Sequence, residues 1–173
     1  MSSAHIVVGG VLALACISDL RTRRIPNVLT FSAVAGALMF HLFTGGWTAA
    51  GWSIAGCVLG ALLFLPLFAL RGMGGGDVKL LAAVGAWLGP SQVATAALMT
   101  SIAGGVIALV VALSYGYLTT AYRNLWMLLT SWRITGIRPV DELTLERARG
   151  PRLAYALPIA IGTLATLWLK SAS

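Results

Sequence analysis

The run from Ala49 to Leu70 holds no charged residue and is long enough to cross a bilayer, which takes about 20 apolar residues in a helix. Similar apolar runs recur along the chain. Of its 173 residues, 58% are hydrophobic and 10% are charged, and the mean hydropathy is +0.89. A soluble domain carries about 25% charge. Disorder requires low hydrophobicity and is excluded. The composition therefore points to one polytopic membrane domain covering the whole chain. Cys16 and Cys57 lie inside apolar runs without CxxC spacing, so they read as small buried hydrophobes and supply neither a disulfide framework nor a zinc module. No basic residue precedes the apolar run from Ala4 to Ile17, and a cleavable signal peptide needs one, so this run is expected to be a retained first span.

Charge sets the expected topology. The spans are placed at about 3–18, 28–43, 49–70, 78–89, 92–118 and 153–169, with a loop over about 119–152. Gly45-Gly46 and Gly89-Pro90-Ser91 supply breaks, and Pro66 is expected to kink the third span. Within the loop, Asp141–Arg147 is expected to form a short interfacial helix. Six spans place every one of the twelve Lys and Arg on one side except Lys170. By the positive-inside rule that side is cytoplasmic and both termini face away from it. The fold class is thus an all-α integral membrane protein, a bundle of about six transmembrane helices. The net charge of +7 is explained by topology. The basic residues are spread over three loops with no compact reader fold, so nucleic acid is not expected as a partner. His5 and His41 are expected to be interfacial spectators.

Five acids remain to be explained. Asp141, Glu142 and Glu146 fall in the polar loop among arginines and read as solvated charge. Asp19 and Asp77 sit where apolar spans meet the cytoplasmic side, and acids at that depth are functional candidates. Two carboxyls held close together in a low-dielectric site do not both ionise easily. One can then take a proton from an attacking water while its neutral partner donates to a carbonyl oxygen. That chemistry needs no metal or other cofactor, and none is expected. Each acid could instead pair with a neighbouring cation or cap a helix; Asp77 before Val78-Lys79-Leu80 suits a cap. Gly74-Gly75-Gly76 strips side chains from the chain before Asp77, which allows positive φ or close approach of a substrate strand. Pro26, after Arg21, Arg23 and Arg24, stops one helix and opens the next.

Together these two segments resemble the type IV prepilin peptidase family. Asp19-Leu20-Arg21-Thr22-Arg23-Arg24-Ile25-Pro26-Asn27 is similar to its element of an Asp, basic residues and IPN. Gly74-Gly75-Gly76-Asp77-Val78-Lys79-Leu80 is similar to its GxGDxKL element. Ala154–Gly162 looks like its last-span motif, with Ala154 where a proline is expected. The resemblance implies an intramembrane aspartyl endopeptidase with Asp19 and Asp77 as the catalytic pair. Gly74 and Gly76 would shape the site, with Lys79 and Asn27 in support. It implies prepilin and pseudopilin precursors as substrates, the lipid bilayer and the pilus assembly machinery as partners, and a bacterial cytoplasmic membrane location with the site facing the cytoplasm. The chain lacks the paired CxxC module of the longer, bifunctional members, so cleavage without N-methylation is expected. In this it is similar to short stand-alone forms tied to Flp-type pili, and also to archaeal preflagellin peptidases. The alternative from another class is an ion- or proton-coupled transporter or channel subunit with Asp19 and Asp77 on the ion path.

Overall fold

A computed structural model describes residues 3–116, 118–135 and 154–172, all statements below being made of these. They form helices without strands: α1 (Ser3–Thr22), α2 (Asn27–Ala69), α3 (Gly75–Leu88), α4 (Pro90–Ser114), α5 (Leu118–Thr135) and α6 (Ala156–Ala172). Three of them, α1, α2 and α4, are long and apolar enough to cross a membrane. Leu98, Ile102, Val106, Leu109 and Leu113 of α4 recur at helical spacing and are all more than half exposed. An outward stripe of this kind would be costly in water and suits hydrocarbon.

Within α2 the helical geometry breaks at Gly46, whose φ of 66° and ψ of −161° lie outside the range open to residues with a side chain. The two arms on either side of Gly46 both pack on α3, in opposite senses. On the first arm, Asn27 meets Lys79 near the start of α3, and the Ala33 carbonyl accepts from Trp87 Nε1 near its end (2.9 Å). On the second arm the order is reversed. Ser53 Oγ donates to the Ala86 carbonyl (2.7 Å), and Phe68 lies against Gly75. The chain therefore doubles back at Gly46, and α3 runs between the arms.

This position explains why α3 is buried at every residue from Leu80 to Leu88 although it has only 14 residues. The second arm approaches it backbone to backbone. A Cβ on Gly56 would collide with the Gly85 carbonyl oxygen, and one on Gly85 with that of Gly56. Small residues are what permit such approach between membrane helices. At the end of α3 the chain turns sharply, because Gly89 takes a φ of 80° and Pro90 supplies a helix-ready φ at the first position of α4.

Residues 118–135 are helical where the sequence reading begins a loop. The helix carries Arg123 and Arg133 alongside exposed Tyr122 and Trp126. Interleaved charges and aromatics lower the average hydropathy of a segment without lowering its capacity to form a helix. The expected interfacial helix at Asp141–Arg147 lies outside the described residues.

The contact between Gly56 and Gly85 yields a stability prediction. Gly56→Val should lower the melting temperature of the detergent-solubilised protein, with a loss on the order of 3 kcal/mol from overpacking. Gly105→Ala, where a Cβ meets nothing within 4 Å, should be neutral or stabilising by about 0.5–1 kcal/mol.

Candidate active site

Asp19 occupies the last turn of α1, and the turn that follows is held by side chains of that helix. Ser18 Oγ donates to the Arg24 carbonyl (2.9 Å), and Thr22 Oγ1 lies 2.9 Å from the Ser18 carbonyl and 3.2 Å from that of Arg24. Arg23 adopts a left-handed conformation with a φ of 53°. Pro26, at φ −63° and ψ 133°, takes the capping position of α2, and its carbonyl accepts from the Thr30 amide. This folds Ile25 back over the start of α3, against Gly76.

Asp77 is delivered by the connection between α2 and α3. The Arg71 amide donates to the Phe68 carbonyl and the Gly72 amide to that of Leu67, both at 2.9 Å, which closes α2 with a Schellman turn. Such a turn needs one left-handed residue, and here it is Arg71, with a φ of 56°. None of Gly74, Gly75 and Gly76 has positive φ, so the conformational freedom expected of the glycine run falls instead on an arginine next to it. What the glycines provide is space. A Cβ on Gly74 would lie 3.1 Å from Asp77 Oδ2, one on Gly75 3.2 Å from the Phe68 ring, and one on Gly76 3.2 Å from Ile25 Cβ. The close approach made possible here is to the protein's own residues. Asp77 is also not the capping residue. Gly74 holds that position without a side-chain cap, and Asp77 lies in the first turn, its amide donating to the Gly74 carbonyl (3.2 Å).

The two acids come together. Asp19 is 7% exposed and Asp77 8%, and the charge of Asp19 reaches Asp77. A third element joins them. Asp19 Oδ2 accepts the amide N–H of Ala156, the first residue of α6, at 3.2 Å. Cys16, one turn before Asp19, donates through Sγ to the Ala156 carbonyl (3.4 Å). Tyr155, partly buried, lies within electrostatic reach of Asp77. The site is thus built where the end of α1 and the starts of α3 and α6 converge. The sequence reading places Tyr155 and Ala156 within a last-span motif but gives neither of them a role at the site. A main-chain donor leaves no residue signature.

Lys79 and Asn27 meet outside this centre. Lys79 Nζ donates to Asn27 Oδ1 (2.9 Å) and stands 5.5 Å from the Phe31 ring centroid. Both residues are exposed, and they tie the start of α2 to the start of α3. Lys79 is thus engaged by α2, while Asp77, two residues before it, is buried.

A helical, strongly apolar chain that buries two carboxyls where α1, α3 and α6 meet has the features of a membrane protein with paired acids. Residues 6–109 match the model of the type IV leader peptidase family, and the chain belongs to that family. The matched span includes both Asp19–Asn27 and Gly74–Leu80. The chain is 34% identical over 110 residues to the prepilin leader peptidase/N-methyltransferase of Aeromonas salmonicida (strain A449), covering 60% of this chain and 38% of that protein. It is 37% identical over 108 residues to the protein of the same description from Dickeya chrysanthemi (58% and 38%), and 31% over 123 residues to that from Neisseria gonorrhoeae (64% and 43%). The chain spans about two-fifths of the length of these relatives. No solved structure matches it.

The contact of Gly76 with Ile25 can be tested by a double-mutant cycle. Gly76→Ala should destabilise the protein by about 1–2 kcal/mol. The loss should shrink by at least about 0.5 kcal/mol when Ile25 is already Ala. Thermal unfolding in detergent reports both values.

Proposed function

We propose that the chain is a membrane-embedded aspartyl endopeptidase that removes the short basic leader from type IV, Flp-like prepilins or pseudopilins at the cytoplasmic edge of the bacterial inner membrane. The observation that carries this reading is the burial of both Asp19 and Asp77, within electrostatic reach, at the junction of α1, α3 and α6. Family membership and the likeness to prepilin leader peptidase/N-methyltransferases support the substrate class.

The hydrogen bonds favour a division of labour. Asp19 accepts a main-chain N–H at the positive end of the α6 dipole, an arrangement that stabilises a carboxylate. Asp19 is therefore the base, and Asp77 the residue that holds the proton. In the first step Asp19 takes a proton from water as its oxygen bonds to the scissile carbonyl carbon, while Asp77 gives its proton to the carbonyl oxygen. A neutral tetrahedral diol results. In the second step Asp77, now anionic, takes a proton from one diol hydroxyl as the carbonyl re-forms. Asp19 gives its proton to the departing nitrogen and the C–N bond breaks. One water is consumed, and the original protonation of the pair is restored.

Arg21, Arg23, Arg24, Arg71 and Lys79 are all exposed at the carboxyl end of the bundle, which supports a cytoplasmic orientation for it under the positive-inside rule. The mature part of such a substrate begins as an apolar helix, which can pack laterally against outward-facing apolar helices such as α4. The proposal is cleavage without N-methylation of the product, and the isolation of Cys16 in α1 and Cys57 in α2, with no CxxC pair, supports it.

Co-expression with a small prepilin tests the proposal by leader removal on a gel. Asp19→Ala and Asp77→Ala should each reduce cleavage by at least about 10³-fold while the protein stays in the membrane. Full processing by either variant would sink the assignment. Mass spectrometry of the wild-type product should show an unmethylated N-terminus. Ala156→Pro deletes the N–H offered to Asp19 at a helix position that tolerates proline. It should slow cleavage by about 10-fold or more, whereas Ala156→Gly keeps the donor and most of the rate.

A further inference from the structure

Asp19 takes its donor from the first residue of α6. In a helix that is the place where a donor is most available and least secure. The first four amides have no partner within their own helix, so the Ala156 N–H is free to serve Asp19. Helix ends also fray, and an amide there keeps its direction only if something outside the helix holds it. The body of α6 is seated on α4 at Gly162, where a Cβ would collide with Thr100. That contact lies roughly 9 Å further along the axis and does not fix the first peptide.

The local hold comes from Cys16. Its Sγ donates to the Ala156 carbonyl (3.4 Å), while Asp19 Oδ2 accepts the Ala156 N–H (3.2 Å). Cys16 and Asp19 are three apart on α1 and share a face. The N–H belongs to the peptide group before the Ala156 α carbon and the carbonyl to the one after it. The two bonds therefore grip both peptide planes that flank a single atom. Ala156 is fully buried, so water does not compete for either group. Hydroxyls inside these helices turn back on their own helix, as Thr44 does to the Phe40 carbonyl and Ser101 to that of Ala97. The Cys16 thiol instead reaches a residue 140 positions away. A carbonyl oxygen has two lone pairs, so this bond need not displace one within α6.

We propose that Cys16 is a positioning residue for the reaction: its thiol holds the first residue of α6 so that the Ala156 N–H stays aimed at Asp19. The inference rests on the reading of Asp19 as the base in leader cleavage. A small hydrophobe, which is how the sequence alone reads Cys16, would fill the same space without aiming anything.

Cleavage of a synthetic prepilin by the purified full chain in vesicles separates the two roles. Cys16→Ala keeps a small apolar side chain and deletes the donor. It should lower kcat by about three- to tenfold with KM little changed. It should also move the acid limb of the pH profile to higher pH, since a less supported anion takes up its proton sooner as pH falls. Among the described residues, the other titratable groups in electrostatic reach at this junction are Asp77 on α3 and Tyr155 before α6. Both remain in the variant. Cys16→Ser supplies a donor again and should recover most of the rate and the position of the limb. In a cycle with Ala156→Pro, which removes the N–H, Cys16→Ala should slow cleavage little further. Packing alone predicts serine worse than alanine, an unmoved limb and additive losses, and any of these in an active wild-type background would overturn the proposal by itself. A wild-type chain that cleaves no prepilin, or a fully active Asp19→Ala, would overturn the reading beneath it as well.

Discussion

Asp19 and Asp77 are almost wholly withdrawn from water, and the charge of Asp19 reaches Asp77. Two bare carboxylates so placed would repel each other and lack solvation. The arrangement is tolerable when they share one proton and when fixed donors support whichever group is charged. Much of the local structure answers this requirement. The first amide of α6 supports Asp19, the first turn of α3 carries Asp77, and Lys79 is engaged by Asn27 on α2. In the proposed mechanism a cation drawn between the two acids would neutralise the pair and remove its capacity to pass a proton.

The dyad in turn depends on how α3 is held. A helix of 14 residues cannot span a bilayer by itself, and this one is enclosed by the two arms of α2 with α4, α1 and α6 around it. Glycine contact at Gly56 and Gly85 sets its depth against the second arm. Trp87, bonded to the Ala33 carbonyl, anchors it to the first. Displacement of α3 along its axis would carry Asp77 away from Asp19, so packing that lies far from the carboxyls fixes their separation.

The apolar segments and the two acids were legible in the sequence because each rests on a local property: a run of hydrocarbon, or a charge where charge is expensive. The role of the glycine run was only half legible. Its bareness was evident, but not that Gly76 makes room for Ile25 and Gly74 for the Asp77 carboxyl, since those partners are set by how α2 begins and α3 starts. The cap that Asp77 could have supplied belongs to Gly74, because the helix starts inside the glycine run. The helix at 118–135 was hidden by its mixed composition. The motif at Ala154–Gly162 marked the segment but not the role of the Ala156 amide, since any residue but proline supplies an N–H and only the packing of α6 on α1 aims it at Asp19.

The central claim is that Asp19 and Asp77 act as one proton-sharing pair. The most direct measurement is the pH dependence of leader cleavage by the purified protein reconstituted in vesicles, with a synthetic prepilin as substrate. A shared-proton dyad predicts a bell-shaped profile, in which activity falls at low pH as the anion is protonated and at high pH as the last proton leaves. A rate that rises to a plateau and stays there as pH increases would contradict the account, because a single carboxylate base would then suffice.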